Sequence, residues 1–152
     1  MNLAVYVGLL HSAEGTLASS LRAVAEGHAA EVDVFHLCHQ LAGQCDQHDK
    51  VLAPVAERYG EQRQAEPERL RAEGLAEVRS GPLGLLRDLH DLYTLAAFVD
   101  ISWTMVGQAA RGERDHELLG VVSACEQETR TQMAWLRTRL KQAAPQALLV
   151  AE

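Results

Sequence analysis

From Leu3 to His28 the chain places Leu3, Val7, Leu10, Glu14, Leu17, Leu21, Val24 and His28 at alternating spacings of three and four. That spacing draws one seam along an amphipathic helix, with Glu14 at its centre. A second seam, Val34, Cys38, Leu41, Cys45, His48, Leu52, Val55 and Tyr59, predicts a helix from about Glu31 to Tyr59. Pro54 lies inside it and removes a backbone donor, which predicts a kink near Lys50 and a weaker last turn. Residues 60 to 81 are polar and poor in seam-forming positions, with Leu70, Leu75 and Val78 hinting at a short helix. Ser80-Gly81-Pro82 then reads as a cap followed by an early helical proline. The third helix runs to about Arg111 with Leu86, Leu89, Tyr93, Ala96, Asp100 and Trp103 turned inward. After the turn at residues 112–115, with Asp115 as cap, a fourth helix carries Leu119, Val122, Glu126, Thr129, Met133, Leu136 and Leu140, and Pro145 ends it.

Four long helices, two short turns and one long middle connection describe an all-α four-helix bundle. An up-down-up-down bundle needs only a few residues between its second and third helices. About 22 are spent here, so a long crossover between helices two and three is expected. Composition agrees, since Ala, Leu and Glu are the commonest residues while Phe and Tyr are sparse. At 152 residues the chain forms one domain, residues 1–152, large enough to enclose a core without disulfides. A net charge of −7 with no dense run of Lys or Arg argues against nucleic acid. No apolar stretch approaches a membrane span, and the start lacks the basic segment of a secretory leader, so a cytoplasmic location away from membranes is expected. Cys38, Cys45 and Cys125 are odd in number and spaced unlike a zinc ribbon or a disulfide framework.

Glu14, His48, Asp100 and Glu126 interrupt otherwise apolar stripes, and burying such groups unpaired costs of order several kcal/mol. Helices joined by a short turn run antiparallel, so Glu14 and His48, each about 17 positions from the first turn, fall at one height. Asp100 and Glu126, about 13 positions either side of the second turn, also fall level. If the two layers meet, three carboxylates and one imidazole converge. They would either hold a metal or form a metal-free network. In that network Glu14 pairs with protonated His48, Asp100 and Glu126 share a proton, and Thr129 donates to one of them.

This arrangement resembles the ferritin-like di-iron carboxylate superfamily, in which helices one and three each offer an acidic residue and helices two and four each offer Glu-x-x-His. Glu14 and Asp100 match the single carboxylates. Cys45-Asp46-Gln47-His48 keeps the histidine but has cysteine for glutamate, and Glu126-Gln127-Glu128-Thr129 keeps the glutamate but has threonine for histidine. Four of the six ligand positions therefore survive. The resemblance implies a degenerate di-iron site: one iron or manganese ion at Glu14, His48, Asp100 and Glu126, with Cys45 and Thr129 adjacent, or no metal at all. Cys45 as a soft ligand would shift preference toward zinc. The expected function is a non-catalytic or weakly metal-binding interaction module. The alternative is an iron- or manganese-dependent oxidoreductase acting with oxygen or peroxide. By the same analogy the chain pairs as a homodimer, with Leu92, Ile101 and Met105 as the candidate contact.

The remaining polar residues read as surface. His36 and His39 lie off the seam, His11 and His90 lie beside theirs without an obvious partner, and Asp88 to Asp91 reads as a charged face. Trp103 reads as core. No nucleophile elbow and no glycine-rich phosphate loop is present.

Overall fold

The structure, a computed structural model, describes residues 2–60 and 73–151. Four helices follow in order: α1 (Asn2–Gly27), α2 (Val32–Tyr59), α3 (Gly81–Glu113) and α4 (His116–Pro145), the last continued by a π-helical turn at Gln146–Val150. Among the described residues there is no strand, and no helix is long and apolar enough to cross a membrane.

Each boundary has a local cause. Asp115 caps α4, its Oδ1 accepting from the Leu118 N–H at 3.1 Å. Pro82 lies in the first turn of α3, where a missing N–H is harmless, whereas Ser80 makes no side-chain cap. Gly60 ends α2 in the left-handed region at φ 67°, where glycine is unstrained, and its N–H meets the carbonyls of Ala56 and Glu57. Arg114 ends α3 the same way at φ 56°, an uncommon position for a residue with a side chain. α2 remains helical through Pro54 to Tyr59, so its final turn is intact.

α1 packs on α2 and on α3, and α4 packs on α3 and on α2, enclosing one continuous core. The first two seams lie inward as their spacing predicts, with Tyr59 partly buried at the end of the second. The other two are rotated by one residue over part of their length. α3 buries Leu85, Leu92, Val99 and Val106 beside Leu89, Ala96 and Trp103, leaving Leu86, Tyr93 and Asp100 half-exposed. α4 buries Leu118, Cys125 and Gln132 in place of Leu119, Glu126 and Met133.

Residues 73–80 are irregular where the sequence suggests a short helix through Leu75 and Val78; Leu70 lies outside the described residues. The segment lies against α1. Gly74 meets Thr16 and Ser20, the Leu75 N–H donates to Ser20 Oγ at 3.3 Å, and Val78 seats on Gly27.

Candidate functional site

The polar centre of the bundle is built around Glu14, which is 0% exposed on the inner face of α1. Its Oε1 accepts from Trp103 Nε1 at 2.9 Å and from His48 Nδ1 at 3.0 Å. The other ring nitrogen, His48 Nε2, lies 3.1 Å from Glu128 Oε1. With a carboxylate against each nitrogen, both must carry hydrogen to donate, which is the imidazolium form. Burial alone would lower the His48 pKa, but Glu14 and then Glu128 outweigh it and raise the value above 6.5. The result is a column from a fully buried carboxylate, through a cation, to Glu128, whose side chain is 45% exposed.

A thiol and two amides extend this centre. Cys45, one turn before His48, faces Gln132 of α4, whose Nε2 lies 3.8 Å from the sulfur and 3.0 Å from Gln44 Oε1. Burial first, and the neighbouring Glu14 second, push the Cys45 thiol far above its ordinary range. Cys38 and Cys125 are pushed up to about 12, burial being the larger cause in each. All three cysteines are free and buried, so none is a ready nucleophile. Glu14 Oε2 is buried with no hydrogen-bond partner among the described residues.

Asp100 and Glu126 lie elsewhere. The one-residue rotation of α3 and α4 takes them from the core to a half-buried edge where those two helices meet. Arg130 comes between them, 3.8 Å from Asp100 and in close contact with Glu126, while Thr104 Oγ1 donates to Glu126 at 3.2 Å. Burial pushes the Asp100 pKa up, Arg130 pulls it down and Glu126 pushes it up again. The expected convergence of Glu14, His48, Asp100 and Glu126 is thus replaced by two separate pairs. The shared proton expected for Asp100 and Glu126 gives way to a guanidinium. Thr129 is buried but donates to the Cys125 carbonyl at 2.8 Å, not to a carboxylate. Among the described residues no three His, Cys, Asp or Glu side chains gather where they could share a metal ion.

Two features escape the sequence pattern. Glu128 lies off the seam, and only a long side chain reaching over the rim brings it to His48. Asp88, expected on a charged face, is 0% exposed. It accepts from the Arg79 backbone N–H at 2.9 Å and from Arg79 Nη1 at 2.7 Å, and its Oδ2 lies 2.8 Å from His28 Nε2. The clue available was His28, a polar residue closing the first seam and needing a buried partner. His11 also has a partner, Asp49, at 3.6 Å, and His39 meets Glu26 at 2.7 Å. Leu92, expected as an exposed contact, is fully buried, while Ile101 and Met105 are exposed.

No protein-family model, curated protein or solved structure matches this chain.

Proposed function

We propose that this protein is a ferritin-like helical bundle that acts as a non-catalytic interaction module, its polar centre a hydrogen-bonded network with at most weak affinity for metal. One observation carries this reading: both ring nitrogens of His48 are already engaged by carboxylates, so the imidazole has no lone pair free for a cation. The ferritin-like order, with the chain returning along the bundle between α2 and α3, belongs to the same proposal. Its support is directional. Glu14 with Trp103 and His28 with Asp88 pair ascending positions of α1 with descending positions of α3. Glu14 with His48 and Glu26 with His39 do the same for α1 and α2. A cytoplasmic location and pairing into a homodimer through the α3 face around Ile101 and Met105 complete the proposal.

A second reading, an iron- or manganese-dependent oxidoreductase acting with oxygen or peroxide, is favoured by a single observation, the unpartnered Glu14 Oε2 beside Cys45 and His48. Asp100 and Glu126 would have to leave Arg130 to join it. Elemental analysis after incubation with iron(II) or manganese(II) and desalting separates the two. The module reading expects substoichiometric metal, unchanged in Glu14→Ala and His48→Ala. Stoichiometric metal lost in both variants would overturn it in favour of the enzyme.

A further inference from the structure

Residues 74–79, Gly-Leu-Ala-Glu-Val-Arg, occupy a groove between α1 and α3 that is shaped to receive them. Gly74 sits level with Ser20 and Val78 with Gly27. That rise of about 10 Å along α1 is covered by four chain residues, and the backbone bends at Ala76 and Glu77 on the way. Leu75, Val78 and Arg79 are half-buried while Ala76 and Glu77 face out, so the positions that engage the groove read Leu-x-x-Val-Arg. Three glycines make the fit. A Cβ on Gly27 would stand 2.2 Å from Val78 Cγ1, one on Gly84 would stand 2.9 Å from the Arg79 backbone carbon, and one on Gly74 would stand 3.0 Å from Ser20 Oγ. The clamp at the end is charged. Arg79 donates to buried Asp88 through both its backbone N–H and Nη1, and to Asp91 through Nη1 at 2.8 Å, while His28 Nε2 meets the same Asp88 oxygen as the Arg79 N–H. On the α3 side a cleft of ≈ 640 Å³ lies between the strap itself, from Glu73 to Arg79, and Asp91, Thr94, Leu95 and Phe98 of α3.

We propose that this groove is the binding surface of the module and that residues 74–79 are an autoinhibitory occupant. Its external ligand is a peptide segment carrying an aliphatic residue, two spacer residues at which the backbone bends, a β-branched aliphatic residue and an arginine. The proposal rests on the interaction-module reading and names its partner chemistry. A tethered strap competes at a high effective concentration, so the intact chain masks the groove, and whatever displaces the strap opens it. Asp88 is the recognition residue because it is fully buried and takes both a side-chain and a backbone donor from one arginine.

The test uses the full chain carrying Val78→Asp and Arg79→Glu, which removes the strap's apolar anchor and reverses its charge without touching the groove. The probe is a fluorescein-labelled peptide of the sequence from Glu73 to Ser80. Anisotropy is expected to show binding to the released variant about tenfold or more tighter than to the wild type. A further Asp88→Asn change, with helical content retained by circular dichroism, is expected to weaken binding about tenfold or more. Absence of peptide binding to a folded released variant overturns the proposal, as does binding indifferent to Asp88→Asn. Loss of the helical fold on release also counts against it, since a displaceable strap cannot be essential to the bundle. None of these outcomes bears on the metal measurement, so failure here and failure of the module reading remain distinguishable.

Discussion

Glu14 is held by Trp103 and His48 in a site where water does not reach, and removing it leaves the buried Trp103 N–H without its acceptor and the His48 imidazolium with only half-exposed Glu128 as counter-charge. Glu14→Ala is therefore expected to cost about 3–5 kcal/mol in urea unfolding. Replacing the pair together, Glu14→Leu with His48→Phe, removes both charges and is expected to be markedly less damaging than the single change. A double variant as unstable as Glu14→Ala would mean that packing, not charge, sets the cost. The raised His48 pKa has a definite sign. A base whose folded value exceeds its unfolded value contributes stability that is fully present below pH 6.5 and is lost as pH rises through the raised value. Thermal unfolding of the wild type relative to His48→Gln is expected to show an advantage below pH 6.5 that shrinks above it; a constant difference would refute this. The buried thiols are expected to react with a disulfide reagent only on unfolding. Glu14 and His48 were legible because each breaks an apolar run at its centre. Glu128 and Asp88 were not, because a long side chain reaching in from the rim and a carboxylate turned inward beside a charged neighbour leave no periodic trace.

At the level of helices, number, length and order follow from spacing; α2 lies in the predicted phase because its charged residues leave only one apolar line, and α1 keeps its phase although its only charged residue before Arg22 is the inward-facing Glu14. α3 offers less contrast than α2: from Leu92 to Ala110 its sole charged residue is Asp100, so neighbouring seams read equally well. α4 has paired alternatives at Leu118 and Leu119 and at Gln132 and Met133, and the structure buries the more polar of the second pair. These ambiguities move Asp100 and Glu126 out of the centre. The Asp115 cap was legible because an aspartate directly before a helical run has few other uses. It does more than cap, since Oδ2 accepts from Arg58 at 2.7 Å and from Tyr59 at 2.6 Å, tying the end of α2 to the start of α4. Burial would raise its pKa, but Tyr59, the Leu118 N–H and Arg58 together lower it below 3.8. Asp115→Ala is expected to cost about 1 kcal/mol for the cap alone, more with the lost bonds to α2. Chemical denaturation of that variant beside Arg58→Ala separates the two contributions.

Across the whole molecule, α1 with α2 and α3 with α4 form two hairpins, each closed by a short turn and each packed more extensively within itself than against the other. Polar bonds join the hairpins along their length, among them Glu14 to Trp103, His28 to Asp88, His48 to Glu128, Gln132 to Gln44 and Tyr59 to Asp115. Contacts within a hairpin are local and are expected to form before those between hairpins, which need docking. Trp103→Phe deletes one cross-hairpin donor and is expected to lower stability by about 1–3 kcal/mol, mostly by accelerating unfolding while refolding changes little. Stopped-flow kinetics checks this, and an equally slowed refolding arm would place docking before the barrier. Greasy surfaces alone would let one hairpin slide a turn along the other at small penalty. With donors and acceptors spread along that seam, each slipped alignment leaves a desolvated charge without its counterpart, so the assembly step proofreads its own alignment.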